Sequence, residues 1–114
     1  MWIFTQDGFV SAVRHTEKPG HLMIRARDAK SLHTLAAMAD VTVVKTPTAD
    51  YPYRVTVDDA TYKNWLAINV DTLDYANFKS QVAISRGYNF AHTLTGVWSI
   101  MHDVEDGNAR KRVS

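Results

Sequence analysis

Cysteine is absent from all 114 residues. That excludes a disulfide framework, thiolate catalysis and Cys-ligated zinc or iron–sulfur centres. Glycine is scarce at five residues and proline at three, too few for a phosphate-cradling loop or a low-complexity linker. No G-x-G-x-x-G, P-loop, H-E-x-x-H or G-x-S-x-G motif occurs. Apolar runs extend only a few residues, far short of the roughly 20 needed to span a bilayer. The opening Met1 to Phe9 carries Asp7 and no basic region ahead of an apolar one, so it does not read as a signal peptide. These absences lead us to expect a cytoplasmic chain with no cofactor and no membrane contact. An excess of one charge is missing too. Thirteen Lys+Arg against twelve Asp+Glu leave a formal +1, so the whole molecule has no strong pull toward nucleic acid or anionic lipid, although a local patch can have one.

What is present is globular. Hydrophobic residues at 46% and charged residues at 22% sit near the average for a folded domain. The length predicts one α+β domain over residues 1–107, with 108–114 a polar, basic tail expected to fray.

The pattern is strand-like in the first half. Met1–Thr5 and Phe9–His15 are apolar runs joined by Gln6-Asp7-Gly8, where Asp-Gly favours a tight hairpin. Pro19-Gly20 marks a turn. From His21 to Arg27, Leu22, Ile24 and Ala26 alternate with His21, Met23, Arg25 and Arg27, as in a half-buried strand. Asp28 can cap a helix over Ala29–Ala39 with Leu32, Leu35, Ala36 and Ala39 as its apolar stripe. Val41–Thr46 and Tyr51–Val57 read as a second hairpin, with Tyr51, Tyr53, Val55 and Val57 toward the core and Arg54 outward. Pro52 there signals an edge or a bulge.

The second half is helical. Asp58 or Asp59 caps a helix bearing Tyr62, Trp65, Leu66, Val70 and Leu73. A helix with Phe78 and Val82 ends at Gly87, and Phe90, Leu94, Val97, Trp98 and Met101 stripe another. The order β-β-β-α-β-β followed by two or three helices predicts a mostly antiparallel sheet of about five strands with helices on one face. A ferredoxin-like core over residues 9–73 is one arrangement compatible with it.

Chemistry-bearing residues are dispersed. His92 and His102 lie ten residues apart, nearly three helical turns, and cannot close on one metal from one helix. His102 beside Asp103 is the nearest approach to an oriented base, and a solvated histidine near a helix end is the commoner explanation. Asp58 and Asp59 are neighbours with one engaged in capping, and Asp103, Glu105 and Asp106 lie on different sides of a helix end. No catalytic set and no metal set is predicted, and we expect a protein that is not an enzyme.

The suggestive constellation is a basic sheet face. Alternation points Arg25, Arg27 and Arg54 away from the core, with Arg14 and Lys45 as further candidates and Met23 and His21 on the same side. The first strand can add Trp2 or Phe4. Arginines beside an exposed aromatic form the composition of a protein-binding hot spot. The same face can take phosphates and stack bases of a single strand. Trp65 and Trp98 fall at helical spacing and read as core. Gly96, inside the last helix, suits the close approach of another backbone, from the preceding helix or from a second copy in a homodimer. The basic Arg110-Lys111-Arg112 follows three acidic residues that partly cancel it.

The segments MWIFTQDGFVSAVRH, HLMIRARDAKSL, TPTADYPYRV, DYANFKSQVA and VWSIMH together resemble a family of small proteins found in actinobacteria and their bacteriophages. The likeness runs from Met1 to about Met101. It implies a lineage and a host-cytoplasm setting without an enzymatic mechanism, and by analogy a phage protein that modulates a host process through protein contacts.

Overall fold

The computed structural model describes residues 1–106; the basic tail and its expected fraying lie outside them. Three strands open the chain, β1 (Trp2–Thr5), β2 (Gly8–Arg14) and β3 (His21–Ala26). A 3-10 turn at Lys30–Leu32 leads into α1 (His33–Ala39). Then come β4 (Val44–Lys45), β5 (Tyr53–Asp58), α2 (Asp59–Asp71), α3 (Phe78–Arg86) and α4 (Tyr88–Met101). The class is α+β, with one five-stranded sheet in the order β1-β2-β3-β5-β4. All four strand pairs are antiparallel. β3 and β4, joined through α1, run parallel with β5 inserted between them, which is a split βαβ. β2-β3-β5-β4 with α1 and α2 thus keeps a ferredoxin-like strand order, except that the strand beside β3 comes from before it in the chain and not from after α2.

The chain divides after Asp74 into two compact units, where the sequence suggests one domain over 1–107. In the first unit, the alternation in β2, β3 and β5 places Val10, Ala12, Ile24, Ala26, Val55 and Val57 on one sheet face. They close a single core with Leu32, Leu35, Ala36, Tyr62 and Trp65 from the helical segments. Asp28 caps the turn before α1: its Oδ1 accepts from the Ser31 N–H at 3.2 Å and the Ser31 hydroxyl at 2.6 Å. Asp58, rather than Asp59, caps α2, accepting from the Thr61 N–H at 2.7 Å.

Two elements depart from the sequence pattern. The Gln6-Asp7 dipeptide forms the first loop, and Thr5 pairs with Gly8, so Gly8 begins β2 instead of turning the chain. Its φ of 148° is one that few side chains tolerate. β4 is two residues long, not six, because α1 ends on a left-handed Asp40 (φ 53°). The Asp40 N–H bonds the carbonyls of Ala36 and Ala37, and the Val41 N–H bonds Ala36 again at 3.0 Å. Closing the helix this way withdraws the residues just after it from the ladder.

In the second unit, Asn77 caps α3 through the Ser80 N–H at 2.9 Å. Gly87, at φ 91°, ends it and starts α4. Val82 and Ala91 are buried, but Trp98 is 67% exposed and Met101 is also exposed. The stripe therefore exceeds what is covered: α3 has nine residues and α4 fourteen, leaving roughly 7 Å of α4 beyond the N-terminal end of α3 at Phe78. Val70 and Leu73, expected in the α2 stripe, are exposed as well.

Candidate functional site

The sheet face opposite α1 and α2 gathers most of the predicted residues. The ladders set Trp2 against Ser11, Ser11 against Arg25, and Arg25 against Arg54. One row thus crosses four strands with every side chain on the outer side. Phe4 opposite Phe9 begins a second row, and Val13, Met23 and Thr56 form a third. At the β1 end the face is aromatic. Phe4 stacks on Phe9 at 4.6 Å between centroids, Trp2 meets Phe9 edge-on at 5.7 Å, and Trp2 is 69% exposed.

At the centre lie the arginines, arranged around Tyr51. The guanidiniums of Arg25 and Arg27 sit 4.6 and 4.4 Å from its ring centroid. Such contacts are worth about 0.5–2 kcal/mol each and orient the cations without neutralising them. Arg25 donates to the Ser11 hydroxyl at 2.9 Å, which explains a nearly inaccessible serine in a strand. Arg54 donates to the Tyr51 carbonyl at 3.2 Å and points at the Met23 sulfur at 3.7 Å. Arg27 donates to Asp50, to its carbonyl at 2.6 Å and its carboxylate at 3.1 Å. Arg25 and Arg54 are half-buried and have no carboxylate partner among the described residues. Their Nε atoms are buried without a hydrogen bond. The patch therefore holds three guanidiniums against one carboxylate.

Three expectations need correction. Arg14 is not on this face: it stands opposite Leu22, whose other neighbour is Val57, so strand parity turns it to the helix side, where it pairs with Asp59 at the start of α2. Lys45 stands opposite Tyr53 and likewise falls on the helix side, its ammonium 5.5 Å from that ring. Tyr51 is buried as expected but on the wrong side. It lies ahead of β5, separated by Pro52, so the strand's alternation does not reach it. No cis peptide bond occurs among the described residues.

Tyr51 and Phe9 are the site residues that the sequence reading missed. Phe9 carried a usable signal, since it shares parity with Ser11 and stands two residues before it. Tyr51 carried none beyond the proline that breaks the pattern.

Elsewhere the chemistry is sparse. A depression of about 370 Å³ between β2, β3 and α2 is floored by Ala12, Leu22, Tyr62 and Leu66, and its charged pair Arg14–Asp59 is mutually satisfied. Burial pushes the Tyr62 phenol up from its ordinary range. Asp58 is held low, chiefly by its Thr61 hydrogen bonds, with the nearby His21 acting in the same direction. His102 contacts Glu105 at 3.2 Å through Nδ1 and packs edge-on to Trp98. Among the described residues, no group of three or more His, Asp or Glu side chains could hold a metal ion. No helix among them is long and apolar enough to cross a membrane. Comparison of the chain with protein-family models, with curated proteins and with solved structures gave no match in any of the three.

Proposed function

We propose that this protein is a non-enzymatic interaction module that binds an acidic segment of a protein partner on the outer face of its sheet. The observation that carries the reading is the Arg25–Arg54 cross-strand pair. Like charges directly opposed in a sheet are destabilising, and these two are half-buried and have no carboxylate partner among the described residues. A partner carboxylate supplies the missing counter-charge and offers acceptors to guanidinium donors that the fold leaves unused. Trp2 and Phe4 supply the apolar contact beside it, and the arginines set orientation and encounter rate. The resemblance to actinobacterial and phage proteins fits such a role in a host cytoplasm, as a protein that modulates a host process.

A second reading rests on the aromatic end of the same face. Trp2 and the Phe4–Phe9 stack beside guanidiniums also suit single-stranded nucleic acid. One titration separates the two. Fluorescence anisotropy is followed with a labelled Asp/Glu-rich peptide containing one aromatic residue, and with a labelled oligothymidylate. We expect the peptide to bind more tightly, and Arg25→Ala/Arg54→Ala to abolish the binding. Tighter oligonucleotide binding, with three phosphate contacts giving a log–log salt slope near about −2, selects the second reading. No binding of either probe at about 100 μM protein, near the weak end of useful affinities, removes both.

A further inference from the structure

The two edges of the sheet are built differently. β4 is two residues long, ends on Lys45 and is followed by Pro47. A short strand, a lysine and a nearby proline are the devices that keep an edge from pairing with another chain. β1 has none of them. Trp2-Ile3-Phe4-Thr5 carries no charge and no proline, and its residues favour extended backbone. The hydrogen-bond pattern then fixes which groups this edge presents. Met1 and Ala12 exchange both backbone bonds, N to O at 2.9 and 2.8 Å. The antiparallel alternation therefore makes Met1, Ile3 and Thr5 the residues bonded to β2, and turns the N–H and C=O of Trp2 and Phe4 outward.

From this we infer that β1 is the interface of a two-fold homodimer, in which β1 pairs antiparallel with β1 of a second copy in the register that places Ile3 opposite Ile3. In that register Trp2 of each copy faces Phe4 of the other. Each such pair exchanges two N–H···O=C bonds, so every outward donor and acceptor of the two residues is used. A two-fold operator requires a surface complementary to itself, and a row reading donor–acceptor, gap, donor–acceptor about Ile3 has that property. Other two-fold registers within Trp2–Thr5 leave one of the pairs opposite a residue outside the strand. Charge selects the same occupant. Trp2–Thr5 carry no charged side chain. The Met1 ammonium, bonded to the Ala12 carbonyl, falls opposite Thr5 of the other copy, so the two ammonium groups lie at opposite ends of the paired strands. An acidic segment, by contrast, finds its stronger complement at Arg25 and Arg54. The outer face gains two cross-strand Trp–Phe pairs next to the Phe4–Phe9 stacks, an arrangement that adds to sheet stability. The two arginine patches then lie on one continuous surface. Nothing in this inference depends on what those patches bind.

The test is light scattering coupled to size exclusion, with amide hydrogen exchange on the wild-type protein. We expect a species of twice the 12.9 kDa chain mass, with the Trp2 and Phe4 amides exchanging more slowly as concentration rises. Trp2→Pro removes an N–H that β2 does not use, at a position where an edge strand accepts proline. It should weaken the dimer roughly tenfold to hundredfold through the two symmetry-related bonds lost. Trp2→Lys, with the N–H intact, should weaken it through charge. A monomer at about 100 μM wild-type protein, an affinity too weak for a stable interface, overturns the proposal. So does a dimer whose Trp2 and Phe4 amides stay unprotected, or one untouched by both substitutions.

Discussion

Arg54 is the residue at which stability and binding pull apart. It opposes Arg25 across β3 and β5, its Nε is buried unbonded, and its remaining donors reach only a carbonyl and a thioether. A methionine of similar length keeps the packing and discards the uncompensated charge. Arg54→Met should therefore cost less than about 0.5 kcal/mol in urea unfolding, or stabilise the protein. The same change should weaken binding of an acidic peptide. A loss above about 1 kcal/mol would mean that the guanidinium is structurally required. Asp58 behaves in the opposite sense. Its carboxylate caps α2, and Asp58→Ala should lower the urea midpoint in the same assay. Because its folded pKa is depressed, its contribution is complete above the unfolded value near about 4 and is lost as pH falls through the lower folded value. Acid titration should show that loss in wild type and not in the alanine variant. Tyr62 works at the other end of the scale. Its raised pKa gives stability that is present below about pH 10 and lost as pH rises through the folded value, so Tyr62→Phe should flatten the alkaline limb of the stability curve.

Elements were legible in the sequence wherever one periodicity ran uninterrupted. β2, β3 and the first half of α2 have their faces where alternation or the three-four spacing put them: Val10 and Ala12, Leu22 and Ile24, Tyr62 and Trp65. The pattern failed where a local backbone feature reset it. The left-handed Asp40 shortened β4, and Pro52 separated Tyr51 from the parity of β5. It failed again where an apolar stripe had no surface to meet, as at Trp98 and Val70, because periodicity gives a side chain's direction and not its cover. Strand order, which decides that Arg25 stands beside Arg54, needs pairing across 29 residues that single-strand patterns do not encode. Within α3 the distinction between direction and cover is measurable. Val82 is inaccessible, and Val82→Ala should cost about 1–3 kcal/mol. Ile84, 78% exposed two positions on, should tolerate alanine within about 0.5 kcal/mol in parallel urea melts.

At the scale of the molecule, the core of buried side chains around the sheet closes entirely within residues 3–66. A fragment ending at Asp74 should accordingly keep its far- and near-ultraviolet dichroism and unfold cooperatively; a fragment without near-ultraviolet signal would show that the sheet needs the helical hairpin. The same unit carries the whole outer face, so its function should survive the cut. What that face does is decided most directly by two-dimensional ¹⁵N NMR that resolves the arginine Nε–H and tryptophan indole signals. A glutamate-rich peptide is added to the full chain. We expect shifts at the Arg25 and Arg54 Nε–H and the Trp2 indole, suppressed by salt, with Trp65 and Trp98 unmoved. Shifts confined to α3 and α4, or no change at either guanidinium at saturating peptide, would contradict it.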